Sequence, residues 1–529
     1  MIFRRKQEEV AKPKTIADIL TYQSYKNGSK KYIFFKDIIY TYSQAEKICN
    51  KISRVLAFSG IRKGDRVAIM MENSPYFIFA AFAIAKEGGI IVPVNTFLKD
   101  KEVSYIISNS EAAAIFTSEK FKGIISKVKE DCSCLQSIFS FDDSAANWGA
   151  ENVLVKDKNM SELPLEIGIK QEDTAVIIYT SGTTGAPKGA MLSHGNLISM
   201  VEMAAISYKM THKDRFLLFL PMFHIYSFEV TIMFPSFLGA SIVILESVMD
   251  LKTKKFRDIL IFKRPTVMAA VPTVYSALVK AKMPKLFIKF IYPIKIHLCS
   301  GSGLPVDIYN KFYQKFGIPL IEGYGLSEAS PVVAGNTLDD PRAGTVGRAF
   351  YGVSVKIVDK DDMEVPRGEV GEIIAKGPNI MQGYWKMPKE TAEAVKNGWF
   401  FTGDLGTMDN DGFITIVDRK KDLILVKGMN VYPREIEEHI HHIKGVEAVA
   451  VISVPDEDGD ETILAYIKKD PDVNITEKDI KAYLKKYIAN FKIPKYVYFP
   501  NELPLTTIGK ILKRKLKEMV MKGEIEGIK

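Results

Sequence analysis

Residues 179–189 read Tyr-Thr-Ser-Gly-Thr-Thr-Gly-Ala-Pro-Lys-Gly. Thr180, Ser181, Thr183 and Thr184 supply aliphatic hydroxyls, Gly182, Gly185 and Gly189 supply freedom of backbone, and Lys188 supplies a cation. Glycines let main-chain amides approach phosphate oxygens closely, and hydroxyls and amides donate hydrogen bonds to them, so the chemistry this loop suits is the binding of a phosphate chain. It is not the common P-loop, which needs Gly, four residues, then Gly-Lys-Ser/Thr. Here Lys188 follows Ala186-Pro187 and precedes Gly189.

Further motifs follow downstream. Leu220 to Phe228 reads Leu-Pro-Met-Phe-His-Ile-Tyr-Ser-Phe and sets His224 among aromatics, a pattern that by itself reads as a core histidine. Ser300 to Val306 reads Ser-Gly-Ser-Gly-Leu-Pro-Val, a glycine turn at the carboxyl end of an expected strand, where open α/β sheets bind ligands. Glu322 to Glu328 reads Glu-Gly-Tyr-Gly-Leu-Ser-Glu. An aromatic between glycines, Tyr324 beside Gly325, can expose its face to a base. A carboxylate such as Glu328 meets phosphate oxygens through a cation, and Mg²⁺ takes one carboxylate plus substrate phosphates. Asn397 to Leu405 places Asp404 in a Gly-flanked turn, where aspartate commonly caps the turn and where a carboxylate is also an acceptor for ribose hydroxyls. Arg419 comes fifteen residues later, and Pro504 to Lys510 ends in Gly-Lys near the C-terminus.

The elements that must position these residues alternate. Asp65 to Met71, Gly88 to Val94, Lys170 to Tyr179, Ser241 to Leu245, Thr266 to Ala270 and Ile294 to Cys299 read as buried strands, and Ser74 to Lys86 as a helix. Such alternation predicts parallel sheets covered by helices. The composition changes near Asp404: short strands at Phe413–Val417 and Leu423–Val426, a helix at Pro433–Ile443, an alternating strand at Ala448–Val454 and a Lys-rich helix at Glu477–Tyr487. About 110 residues is a sensible size for a separate small domain. The charged string Asp418-Arg419-Lys420-Lys421-Asp422 marks the expected boundary.

The chain has 529 residues, 47% hydrophobic and 26% charged, enough for a large core. Its net charge of +9 is mild for this length and does not point to nucleic acid. A basic cluster, Lys510, Lys513, Arg514, Lys515 and Lys517, reads mainly as a solvated helix face, with attraction to phosphates or an anionic membrane surface as the other reading. Cys49, Cys132, Cys134 and Cys299 form no disulfide framework and read as reduced thiols of a cytosolic protein. The apolar stretches Phe77–Val94 and Val230–Leu245 are interrupted by Lys86 and Glu87 or by Pro235 and Gly239, and read as buried core rather than membrane spans.

In this order and spacing the motifs resemble the adenylate-forming enzymes, which include acyl-CoA synthetases, peptide-synthetase adenylation domains and luciferases. The resemblance covers residues 30 to 515 and is closest to the fatty-acyl branch, through Asn397 to Glu437 and its Asn430-Val-Tyr-Pro-Arg-Glu-Ile-Glu437 string. Leu425 stands where luciferase-like members usually carry lysine. The fold it implies is α/β: a large N-terminal domain of parallel and mixed sheets covered by helices, with a small β-barrel-like subdomain, over 1–418; a hinge at 419–421; and a small mobile α+β C-terminal domain over 422–529.

The activity the resemblance implies is ATP-dependent activation of a fatty acid to an acyl-adenylate, then transfer to CoA. The other acceptor it allows is an acyl carrier protein. The loop residues Thr180, Ser181, Gly182, Thr183, Thr184, Gly185 and Lys188 hold phosphates in the family. Gly301, Ser302, Gly303, Tyr324, Gly325 and Ser327 match its adenine-side motifs, with Ser327 where threonine is usual, and Asp404 and Arg419 its ribose contacts. Glu328 matches the Mg²⁺ ligand, His224 the wall of the carboxylate pocket, and Lys510 the catalytic lysine that bridges carboxylate and α-phosphate. Lys421 matches the hinge and Gly428 the border of the thiol channel. The expected setting is cytoplasmic, with peripheral membrane association and a homodimer as further expectations. A catalytically dead sensor is disfavoured by the intact Lys188, Glu328, Asp404, Arg419 and Lys510.

Overall fold

The computed structural model describes residues 11–156, 158, 160–180, 186–426, 429–455, 461–505 and 511–525. Two large sheets form its centre. In the first, Ile90–Pro93, Arg66–Met70, Ala112–Thr117, Ser137–Ser140 and Glu151–Asn152 run parallel to Thr174–Thr180, and Lys188–Ser193 and Gly383–Tyr384 close one edge antiparallel. In the second, six parallel strands run in the order Leu320–Gly325, Ile296–Cys299, Val267–Ala270, Arg215–Leu218, Ser241–Ile244 and Lys31–Phe35, with antiparallel strands at both edges. The central strands are buried on both faces and accordingly read as unbroken runs of Ile, Val, Leu and Ala.

The helix Pro75–Lys86 is apolar all round because it is buried all round. Lys86, which interrupts that stretch, is itself buried and forms an ion pair with Glu46 at 2.9 Å, with Thr21 Oγ1 accepting a second bond from the ammonium. The charge is therefore neutralised inside the core rather than exposed at a loop. Among the described residues no helix is long and apolar enough to cross a membrane.

A five-stranded antiparallel sheet, built from Ser354–Val358, Gly371–Lys376, Val395–Lys396, Trp399–Met408 and Ile414–Arg419, occupies the place of the expected small subdomain. Asp404 belongs to its long strand Trp399–Met408 rather than to a turn. The glycine signal was real but local: Gly403 has φ +72°, and the pairing with Ile414–Arg419 shifts register at Leu405/Gly406, so a bulged strand carries a turn-like motif.

Beyond residue 423 lies a smaller α+β unit. The three-stranded sheet Val446–Pro455, Glu461–Lys469 and Tyr496–Tyr498 is covered by helices Pro433–His441, Glu477–Leu484 and Lys513–Met521. Its core residues, such as Ile436, Ile440, Val451 and Ile480, cluster apart from those of the large sheets. The strand expected to alternate is instead buried continuously from Val449 to Val454. Val449 and Val451 face one apolar cluster, and Ala450, Ile452 and Val454 face a second one capped by Leu516 of the last helix. Lys513, read as a solvated residue, is taken up in an ion pair with Glu437 at 2.7 Å. The four cysteines are free thiols, as expected.

Candidate active site

The carboxyl ends of the parallel strands Val267–Ala270, Ile296–Cys299 and Leu320–Gly325 open onto a cleft of about 2780 Å³. This is the edge at which open α/β sheets place ligands. His224, Thr180, Lys188, Gly301, Ser302, Gly303, Tyr324, Gly325, Ser327, Glu328, Asp404, Arg419 and Lys421 all line it. Ser181, Gly182, Thr183, Thr184, Gly185, Gly428 and Lys510 lie outside the described residues.

The phosphate-loop arms are a β-hairpin. Thr180 ends one strand and pairs across from Lys188, which begins the next. Lys188 Nζ stands 5.2 Å from the centre of the Tyr384 ring. The Tyr384 hydroxyl donates to Glu328 Oε1 at 2.9 Å, so lysine, tyrosine and glutamate line one corner. Burial pushes the Glu328 carboxyl up from its ordinary range, with Asp404 adding to the push and the Tyr384 hydroxyl opposing it. A hard oxygen donor in such a place gains from a cation, and a single carboxylate beside the hairpin that ends at Thr180 and Lys188 fits Mg²⁺.

Strand pairing brings Asp404 and Arg419 together, and a side-chain hydrogen bond from a different sheet adds Tyr324. Asp404 lies directly opposite Arg419 in the antiparallel register, and its Oδ1 is 3.5 Å from Arg419 Nε. Its Oδ2 accepts from the Tyr324 hydroxyl at 2.6 Å. Thus the residues expected on adenine and on ribose share one carboxylate, although eighty residues separate them in the chain. Gly325 is required here by contact: a Cβ at that position would run into the Pro331 carbonyl. Gly301, with φ +97°, turns the loop that follows Cys299, and the open face of Gly303 is filled by the Arg434 guanidinium.

Four residues that the sequence did not single out hold this arrangement. Glu322, buried, accepts from the Leu304 N–H at 3.0 Å and so fixes the glycine loop to its neighbouring strand. Burial raises its carboxyl to about 7. Asp418, also buried, accepts from the Arg419 N–H at 2.7 Å and from the Arg434 N–H at 2.8 Å. Glu372 accepts from the Gly403 N–H at 3.0 Å and pairs with Lys420 at 2.7 Å. Asn73 accepts from the Met222 N–H and donates to the Leu220 carbonyl, both at 3.0 Å, bracing the segment that leads to His224. His224 then caps the short helix Ile225–Ser227, its Nδ1 accepting from the Tyr226 N–H at 3.2 Å. Glu322 opens the Glu322–Glu328 string and Asp418 the charged string, but what gives each of the four its role is a partner distant in the chain. Tyr384 lay in the same blind spot, a tyrosine in an ordinary Gly-Tyr-Trp string.

Residues 20–385 match the AMP-binding enzyme family, and residues 435–510 match the AMP-binding enzyme C-terminal domain. The chain belongs to the AMP-binding enzymes. Among its relatives is the long-chain-fatty-acid–CoA ligase of Bacillus subtilis (strain 168), 33% identical, with 96% of this chain and 94% of the relative aligned. Among solved structures, ATP-bound MatB from Rhodopseudomonas palustris superposes with a TM-score of 0.88 at 31% identity, covering 95% of this chain and 99% of that one. The apo form of the same MatB, also 31% identical and covering 96% and 100%, superposes with 0.76. This AMP-binding enzyme thus has a large α/β domain followed by a small C-terminal domain, like its structural neighbours.

Proposed function

We propose that this AMP-binding enzyme is a fatty acid–CoA ligase that works in two half-reactions. A carboxylate is a poor electrophile, and joining it to AMP creates a mixed anhydride with a good leaving group. In the first step a carboxylate oxygen bonds to the α-phosphorus of ATP and pyrophosphate leaves. In the second a CoA thiol, losing its proton, bonds to the acyl carbon and AMP leaves. The observation that carries the reading is the meeting of Asp404, Arg419 and Tyr324 beside the Glu328–Tyr384–Lys188 corner, on the edge of the sheet where the phosphate hairpin ends. The B. subtilis relative favours a fatty acid as substrate and CoA, over an acyl carrier protein, as acceptor.

In this reading Asp404 and Arg419 hold the ribose, Tyr324 and the Gly301–Gly303 turn flank the adenine, and Thr180 and Lys188 face the phosphates with Ser181, Thr183 and Thr184. Glu328 would hold a Mg²⁺ ion, which offsets phosphate charge when bound. His224 borders the carboxylate, and Lys510 supplies a cation between carboxylate and α-phosphate. The work is positioning and electrostatics, as phosphoryl-type transfers require. Residues 1–418 act as the adenylating domain and 422–529 as a mobile domain turning about Lys421. The closer superposition on ATP-bound than on apo MatB supports the adenylating orientation for the arrangement described here. Pyrophosphate release across a panel of carboxylic acids, with and without CoA, tests the reading. Release that depends on a fatty acid, with acyl-CoA formed only when CoA is added, is expected; no release with any acid overturns it.

A further inference from the structure

The cleft continues away from the nucleotide corner into a wall built by Met200, Val201 and Ala204 of the helix His194–Tyr208 and by Val230 and Phe234 of the segment after His224. One residue in this apolar wall does not match it. Glu229 lies in the wide-turned π-helical stretch Phe228–Met233, lines the cleft and is 1% exposed. Neither of its carboxyl oxygens has a hydrogen-bond partner among the described residues. The polar residues two positions to either side are paired: Ser227 donates to the Leu220 carbonyl at 3.1 Å and Thr231 to the Ser227 carbonyl at 2.7 Å.

A buried polar group without a partner is unfavourable, and native cores rarely keep one without use. Desolvation is the one cause acting on this carboxyl, and it raises the group well above its ordinary range. Burial thus favours the protonated form of Glu229, which can donate one hydrogen bond and accept another. It stands five residues after His224 in the chain, and both residues line the same cleft.

We propose that Glu229 forms an oxygen-recognising subsite in the acyl pocket, so that the preferred acids carry a hydroxyl or keto group partway along the chain. The proposal rests on the adenylating function given above. A hydrocarbon passing Glu229 leaves both oxygens unpaired, whereas a chain hydroxyl or keto oxygen offers the carboxyl a partner. A site built to bond a substrate oxygen discriminates far more strongly than an apolar pocket gauging size.

The test is pyrophosphate release from wild type, Glu229→Gln and Glu229→Leu with saturated acids and with hydroxy and keto acids of equal length, substituted at successive carbons. Wild type is expected to favour an oxygenated acid by roughly tenfold or more in kcat/KM, with an optimum at one chain position. The ratio should fall in Glu229→Gln and fall to one or below in Glu229→Leu, whatever the absolute rates. Infrared difference spectra give a second readout, applicable even if the Leu variant does not fold. A protonated-carboxyl C=O band, absent from Glu229→Gln, should shift when the oxygenated acid binds and not when its saturated counterpart does. Release from saturated acids with the same selectivity in all three proteins, or an unmoved carboxyl band, overturns the subsite while leaving the ligase reading intact. No release from any acid overturns both.

Discussion

The two ends of the cleft handle buried charge in opposite ways. At the nucleotide end the carboxylates come with protein partners: Asp404 with Tyr324 and Arg419, Glu328 with Tyr384, Glu322 with the Leu304 amide, Asp418 with two backbone amides. At the acyl end Glu229 has none among the described residues. The nucleotide end is a prearranged polar surface, which costs no reorganisation when a charged ligand arrives. The acyl end is apolar packing with a single polar demand left for the ligand to meet. Adenylation needs the same triphosphate every turnover, whereas the acid is what distinguishes one such enzyme from another. A rigid polar network at one end and an adjustable wall at the other follow from that difference.

The comparison breaks first at Lys510. If the nucleotide end acts through fixed charge, Lys510→Ala should lower acyl-adenylate formation by about 10²–10³-fold, the usual loss for one prearranged electrostatic contact. Thioester formation from supplied acyl-adenylate should be spared. Equal loss in both half-reactions, in single-turnover assays, would remove Lys510 from the first step. Next in size is Lys421→Pro, which fixes φ near −65° and removes an amide donor. Lys421 sits in the short turn Lys420–Asp422, where burial and Arg419 lower its ammonium. Overall turnover should fall by about 100-fold, mostly in the thioester step, because the proposed mechanism uses the second orientation there. Wild-type rates in both steps would move the pivot elsewhere.

Smaller effects sharpen the contrast within the nucleotide end. Glu328→Gln keeps the shape but removes the anion offered to Mg²⁺, so Mg²⁺-dependent turnover should drop roughly ten- to a hundredfold with little change in melting temperature. A large fall in melting temperature would make Glu328 a structural residue instead. Glu322 has the smallest effect and a distinct pH signature. Its carboxyl, raised from 4.5 to about 7 by burial, holds its proton in the folded state over a range where the unfolded chain releases it. Stability from this group is therefore full below pH 4.5 and declines as pH rises through 7, by about 3 kcal/mol in all. Glu322→Gln should melt like wild type at the acid end and about 3 °C above it past neutrality. A pH-independent difference between the two proteins would count against the raised carboxyl.

Much of this was legible in residue order. Strands at 66–70, 90–93, 241–244, 267–270 and 296–299 fell within two residues of where apolar runs ended, because both-face burial writes itself as unbroken hydrophobic sequence. The alternation expected at Ala448–Val454 runs against that rule: the stretch is apolar but for Ser453, and the strand is covered on both sides. Tyr324, Asp404 and Glu328 could be picked out because glycines flank or approach them. Tyr384, Glu322, Asp418 and Asn73 could not, since what defines them is a partner 16 to 149 residues away and no local pattern records it. Glu229 was passed over for a related reason: a lone acid in an apolar run looks like a solvent-facing position until the helix around it is known to be buried.

Asp418 has a consequence for timing. One of its oxygens holds the Arg419 amide, on the near side of Lys421, and the other holds the Arg434 amide at the start of a helix on the far side. In the proposed rotation about Lys421 the second bond parts and the first can stay. A neutral-to-charged hydrogen bond of this kind contributes about 1.5–3 kcal/mol net, which biases two resting positions by roughly ten- to a hundredfold and no more. In the two-orientation reading proposed above, Asp418 is thus a spring-loaded catch rather than a bolt: its release needs only one hydrogen bond to part.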